Sequence, residues 1–250
     1  MRHRLRHWVP TTIVAAALCQ TVIPAWSCDS ERPLTVAIDV GHSAAKAGAT
    51  SARGKEEFAF NLRFAQELTK ISASWPNLKL LLLGESDRQS LIGRVRAAER
   101  IDAQVFVSIH HDSVNDKYLQ SWTFNGKSLA YADIFRGYSI FISKLGAQVR
   151  SSLALATSLG ERLRANNLTP TLHHAEKIPG ESRALLQPEL GIYEAPFLVL
   201  TKNKLPAILF EVGVIVNRAE EEDLENQNYR AKLQTSLLGA LDSYCRDKSG

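Results

Sequence analysis

Four side chains stand where metal-assisted hydrolysis would need them. Ile38-Asp39-Val40-Gly41-His42 reads as a buried strand that ends in a glycine turn and an imidazole, and Val105-Phe106-Val107-Ser108-Ile109-His110 repeats that arrangement. Side chains at the carboxyl ends of strands in open α/β sheets face the crevice where ligands bind. One histidine there is more often structural than functional. Two delivered to the same crevice compose a first-row metal site, because neutral imidazole is a good zinc ligand. Hydrolytic zinc takes a third protein ligand, often a carboxylate, and keeps one position for water. Glu56 and Glu57 both qualify after the small-residue run 43–54. Either would equally favour the positive end of the helix it opens, so spacing does not choose between them. The fourth side chain is Glu211, at the end of Pro206-Ala207-Ile208-Leu209-Phe210. An ionised carboxylate in such an aliphatic run is costly unless it is paired or functional. Beside an activated water it would serve as a general base.

The elements that must position these groups follow from periodicity. Short aliphatic and β-branched runs predict strands at Leu34–Asp39, Leu78–Leu83, Val105–His110, Tyr138–Ile142 and Ala207–Glu211, each apolar enough to be covered on both faces. Helical spacing fills the gaps. It marks Leu62, Ala65 and Leu68 after Glu57, then Leu91, Val95, Ala98 and Ile101 in a helix starting at Asp87. Between Ser143 and Ala165 the stripe runs from Leu145 through Val149, Leu153, Ala156 and Leu159 to Leu163, and a last helix carries Tyr229 to Tyr244. These stripes read as core-facing. Alternation of strands and helices predicts one α/β domain, with a mixed, mostly parallel central sheet flanked by helices on both faces. The segment 169–196 breaks the pattern, with four of the nine prolines and the pair His173-His174. A stretch of that length without periodicity reads as a loop-rich insertion, either a functional loop or a disordered one.

The chain ends bound the rest. The basic start MRHRLRH, an uncharged apolar stretch and Ala25-Trp26-Ser27 read as a secretory signal over residues 1–27, which leaves no permanent membrane anchor. Without Arg2, Arg4 and Arg6 the formal net charge of the 250-residue chain falls from +4 to +1, which gives no case for nucleic acid as a partner. Localisation is then periplasmic or extracellular, with residues 28–250 as the catalytic domain. In an oxidising compartment Cys28 and Cys245 can pair or remain two thiols near the termini; composition leaves both open.

Taken together, these segments resemble the zinc-dependent N-acetylmuramoyl-L-alanine amidases of the cell-division and cell-separation type. The resemblance rests on Ile38–His42, on Glu57-Phe58-Ala59-Phe60-Asn61-Leu62, and on Arg94 with Ala97-Ala98-Glu99. It continues through Phe106–His110, Phe197–Leu200, Pro206–Gly213 and Val216-Asn217. The spacing to Asn61-Leu62 within it selects Glu57 over Glu56. The chain departs from the family where Ser43-Ala44-Ala45-Lys46-Ala47-Gly48 replaces a glycine-rich run and where His111-Asp112 follows His110.

The resemblance implies one zinc ion per chain, held by His42, Glu57 and His110, with Glu211 as base and then proton donor. The bond cut would be the amide between N-acetylmuramic acid and L-alanine of peptidoglycan. Candidate substrate contacts are Arg94, His111, Asp112, Glu181 and Arg183. A monomer is expected. Some family members carry an inhibitory insertion that an activator protein moves. Here His173, His174, Glu176 and Glu181 in 169–196 are the side chains that such a plug would use, and a substrate-binding rim is the favoured reading. A zinc peptidase acting within the stem peptide and a non-catalytic wall-binding module are the competing functions.

Overall fold

A computed structural model describes residues 28–84 and 90–247. The signal expected at 1–27 and the helix start expected at Asp87 lie outside the described residues. Nine strands are assigned among the described residues: β1 (Leu34–Val40), β2 (Leu78–Leu83), β3 (Val105–Asp112), β4 (Gln120–Phe124), β5 (Lys127–Tyr131), β6 (Ser139–Ile142), β7 (Ala184–Gln187), β8 (Ile192–Glu194) and β9 (Ala207–Val214). The α-helices are α1 (Glu57–Ile71), α2 (Leu91–Arg100), α3 (Val149–Ala165), α4 (Leu198–Thr201), α5 (Arg218–Glu225) and α6 (Gln227–Asp247). Seven strands form one sheet in the order β2-β1-β3-β9-β6-β8-β7. The run from β2 to β9 is parallel, whereas β6 opposes β9 and β7 opposes β8. The expected mixed, mostly parallel sheet is observed.

Alternation along each strand sorts side chains between two cores. Leu34, Val36, Ile38 and Val40 of β1, Val105, Val107 and Ile109 of β3, and Ile208, Phe210 and Val212 of β9 face one layer. That layer contains Phe60, Phe64 and Leu68 of α1, Leu155 and Leu159 of α3, and Leu237 and Leu241 of α6. Ala37, Phe106 and Leu209 face the other layer, with Val95 and Ala98 of α2 and Val199 and Leu200 of α4. A two-residue period sends successive side chains to opposite faces. Polar Asp39, Ser108, His110, Asp112 and Glu211 therefore fall on the α2–α4 side.

Several expectations are corrected. Leu91 and Leu145 belong to predicted core stripes but are 50% and 70% exposed. Leu145 precedes α3, which starts only at Val149. The segment 169–196 is loop-like in its first half only, since its second half supplies β7 and β8 to the sheet edge. The β4–β5 hairpin was not anticipated, although Asn125-Gly126 is a strong signal for it. Both residues take positive φ, 48° and 73°, as a two-residue type I′ turn requires. Cys28 and Cys245 are joined by a disulfide, with Cα atoms 5.5 Å apart. No helix among the described residues is long and apolar enough to cross a membrane.

Candidate active site

Strand register brings the chemistry together. His110 and Glu211 are direct neighbours on parallel strands β3 and β9, so their side chains share one face. His42 arrives from the turn that follows β1, and Glu57 opens α1 at the same end of the sheet. His42 Nε2 lies 3.0 Å from Glu57 Oε2, and His110 Nδ1 lies 3.0 Å from Glu57 Oε1. One donor atom from each of the three falls within 4.8 Å of the others. Two imidazoles and a carboxylate at this spacing fit a zinc-type ion and leave further coordination positions for water or substrate.

The surroundings fix this group from several sides. Glu57 also accepts from Ala49 N at 3.1 Å and from Asn61 Nδ2 at 3.1 Å, and Asn61 sits one helical turn beyond it. Burial pushes the Glu57 carboxyl upward, but hydrogen bonds and charge from His110 and His42 outweigh it and hold it well below the ordinary carboxylate range. Two glycines leave the space. A Cβ on Gly41 would stand 2.5 Å from His110 Nε2, and one on Gly48 would stand 2.3 Å from Glu57 Oε2. Gly48 is the one glycine in the run 43–48. Glu56 is exposed and takes no part.

Beneath the group lies a polar brace that sequence reasoning missed in part. His42 has φ 65°, the left-handed region that side chains with a Cβ rarely occupy. Arg94 donates to the main-chain oxygens of His42 and Val40 and lies 3.0 Å from Asp39 Oδ1. Ser108 donates to Asp39 Oδ2 at 2.7 Å. Asp39 and Ser108 were detectable as polar residues inside otherwise aliphatic strands, where burial without a partner is costly.

Glu211 stands beside His110 across the β3–β9 pair. Its Oε2 is buried without a hydrogen-bond partner among the described residues. Burial, aided by the negative charges of Asp112 and Glu57, raises its pKa well above the usual carboxylate value. A cavity of about 750 Å³ opens over this end of the sheet. It is lined by His42, His110, Glu211, Lys46, Phe197 and Leu198, among others. Its size suits a peptide or sugar fragment.

The expected substrate contacts fare differently. His111 is not at the rim. Facing away from His110, it packs against Phe60 and Phe64 and shares a 2.7 Å hydrogen bond with Asn61 Oδ1. Burial drives its pKa down to about 3. Arg94 touches the cavity but is engaged with protein oxygens, which makes it a positioning residue. Asp112 is buried against His173 and His174. Glu181 accepts from Asn115, and Arg183 reaches the main-chain oxygens of Gly180 and Ser182. None of His173, His174, Glu176, Glu181 or Arg183 lines the large cavity, so the side chains proposed for a plug lie beside the His42–Glu57–His110 group.

Comparison with known proteins agrees with this architecture. The profile of a family described as N-acetylmuramoyl-L-alanine amidase matches residues 36–243. A probable N-acetylmuramoyl-L-alanine amidase, AmiB of Haemophilus influenzae, is 24% identical over 87% of the chain, and the match covers 53% of that protein. N-acetylmuramoyl-L-alanine amidase AmiC of Escherichia coli is likewise 24% identical, with 87% of the chain and 54% of the relative covered. The chain thus spans about half the length of these curated relatives. Among solved structures, the amidase Ami1 of Mycobacterium smegmatis superposes with a TM-score of 0.66 at 15% identity, covering 88% of this chain and 99% of that one; at that identity it speaks for the fold alone.

Proposed function

Since the chain belongs to the N-acetylmuramoyl-L-alanine amidase family, we propose that it hydrolyses the amide joining N-acetylmuramic acid to L-alanine in peptidoglycan. His42, Glu57 and His110 would hold one zinc ion, and Glu211 is the catalytic acid–base. The observation that carries this reading is the placement of Glu211, whose buried Oε2 has no partner among the described residues, beside His110 of a two-histidine, one-carboxylate group at one end of the sheet. When bound, zinc supplies a Lewis acid that polarises the scissile carbonyl and acidifies water.

The protein's own residues do the remaining work. Glu211 accepts the proton released by the attacking water and returns it to the departing nitrogen of L-alanine, and its raised proton affinity suits both halves of that transfer. Asn61 and the amide of Ala49 hold Glu57 so that both its oxygens stay turned toward the two imidazoles. Arg94 and Asp39 keep His42 in its unfavourable backbone conformation. Phe197 and Leu198 offer apolar surface at the cavity wall for the stem peptide. The 169–196 segment is a rim beside the site. The enzyme works as an exported monomer, periplasmic or extracellular, consistent with a Cys28–Cys245 disulfide that persists in oxidising compartments.

Digestion of purified sacculi, with released fragments identified by mass spectrometry, tests the reading. Intact stem peptides and bare glycan strands are expected. Peptides cut internally would make the chain a stem peptidase instead, and wall binding without any release would make it a non-catalytic module.

A further inference from the structure

A second group of ligand-type side chains gathers at the end of β3, where His173 and His174 of the 169–196 segment meet Asp112, two residues beyond His110 and outside the chemistry assigned above. His174 Nε2 is 2.6 Å from Asp112 Oδ2, and His173 Nε2 is 3.4 Å from the same oxygen. One donor atom from each of the three lies within 4.8 Å of the others. The donor set repeats that of His42, Glu57 and His110.

Two features favour a cation here. First, Thr171 Oγ1 holds His173 Nδ1 at 2.8 Å, which sets Nε2 between the Ser113 main-chain oxygen at 3.1 Å and Asp112 Oδ2 at 3.4 Å. Anchoring an imidazole through its other nitrogen is how metal-binding histidines are commonly oriented. Second, the adjoining cavity of about 290 Å³ is also lined by Asp116, Glu176 and Glu181, with no lysine or arginine among its lining residues. A recess lined by one sign of charge concentrates the opposite sign.

We propose that Asp112, His173 and His174 bind a second divalent cation of the zinc class, which ties the 169–196 segment to the end of β3 beside the catalytic cavity. Asp112 and His174 are 62 residues apart in sequence, so such an ion would clip together segments that are distant along the chain. Imidazole with one carboxylate suits zinc, copper, nickel or iron better than calcium or magnesium. The rival occupant is a proton shared between His174 and Asp112.

Titration of the chelator-stripped protein with Zn²⁺ alone, followed by calorimetry and by metal analysis after desalting, separates the two. Two equivalents are expected for the unaltered chain. One is expected for His174→Gln and for His173→Gln, with circular dichroism confirming the fold of each. His42→Ala is also expected to keep one. Uptake of a single equivalent that His42→Ala abolishes, or retention of both equivalents in both glutamine variants, overturns the proposal. A single equivalent that survives in His42→Ala but disappears in His174→Gln upholds the second site and refutes zinc binding by the first.

Discussion

Arg94 donates through Nη2 to the main-chain oxygen of His42, so a buried guanidinium grips the one left-handed residue of the proposed metal group. The same side chain binds Asp39 and the Val40 oxygen. Lysine cannot reproduce that fork. Arg94→Lys should leave the fold intact and weaken zinc binding about 10- to 100-fold, the usual cost of losing a residue that orients a ligand. Unchanged affinity in competition with a chromogenic chelator would remove Arg94 from the positioning role.

Gly48 offers a sharper steric test. It has φ +80°, and a Cβ there would lie 2.3 Å from Glu57 Oε2 and 2.7 Å from the His42 ring. Gly48→Ala should therefore lose both metal and activity. Gly126→Ala is the control, because Gly126 has φ +73° with nothing within 4 Å of its added Cβ. That variant should cost only the backbone penalty of about 1–2 kcal/mol in thermal unfolding and keep its metal.

Glu211→Gln separates ligation from catalysis. It preserves shape while removing the base, so turnover on sacculi should fall roughly 10²-fold or more with zinc content unchanged. Complete loss of zinc in that variant would reassign Glu211 as a ligand.

His111 makes acid stability predictable. Its imidazole is buried and its pKa is depressed to about 3, so the folded chain resists a proton that the unfolded chain accepts. Stability is fully present above the unfolded pKa near 6.5 and is lost as pH falls toward 3. By pH 5 the loss from this one group is about 2 kcal/mol. Urea unfolding at pH 8 and pH 5 should show a smaller difference for His111→Gln than for the unaltered chain. An equal difference would mean that His111 does not contribute.

The disulfide closes nearly the whole domain, with a sequence separation of 217. On chain-entropy grounds such a loop stabilises by up to about 5 kcal/mol. Cys245→Ser should lower the denaturation midpoint markedly, and reductant should do the same to the unaltered chain while leaving Cys245→Ser unmoved. Identical midpoints with and without reductant would show that the bond contributes nothing.

Much of the site was legible because its carriers are local. An aliphatic run followed by Gly41-His42, and a second ending at His110, announce strands that end in imidazoles whatever their neighbours do. Glu211 was legible for the same reason, as a charge in an apolar run. Asn125-Gly126 was equally readable, yet the hairpin it makes was passed over. Strands β7 and β8 were harder. They have four and three residues, too few to establish a period, and Pro188 interrupts the stretch that contains them.

What the sequence determined by itself was the set of strand ends and the identity of the side chains standing on them, because a two-residue period and an apolar run are properties of neighbouring residues. Only the tertiary structure decided which side chain faces which space. His111 adjoins His110 but points into the α1 layer, because assembly of the sheet, and not adjacency, assigns each face its environment. Arg94 became a brace once β1 ended above it. His42 could take a left-handed backbone only where Arg94 and Asp39 compensate for it. The meeting of His173 and His174 with Asp112 depends on a return of the chain some 60 residues later, and no local pattern encodes a contact that chain closure creates.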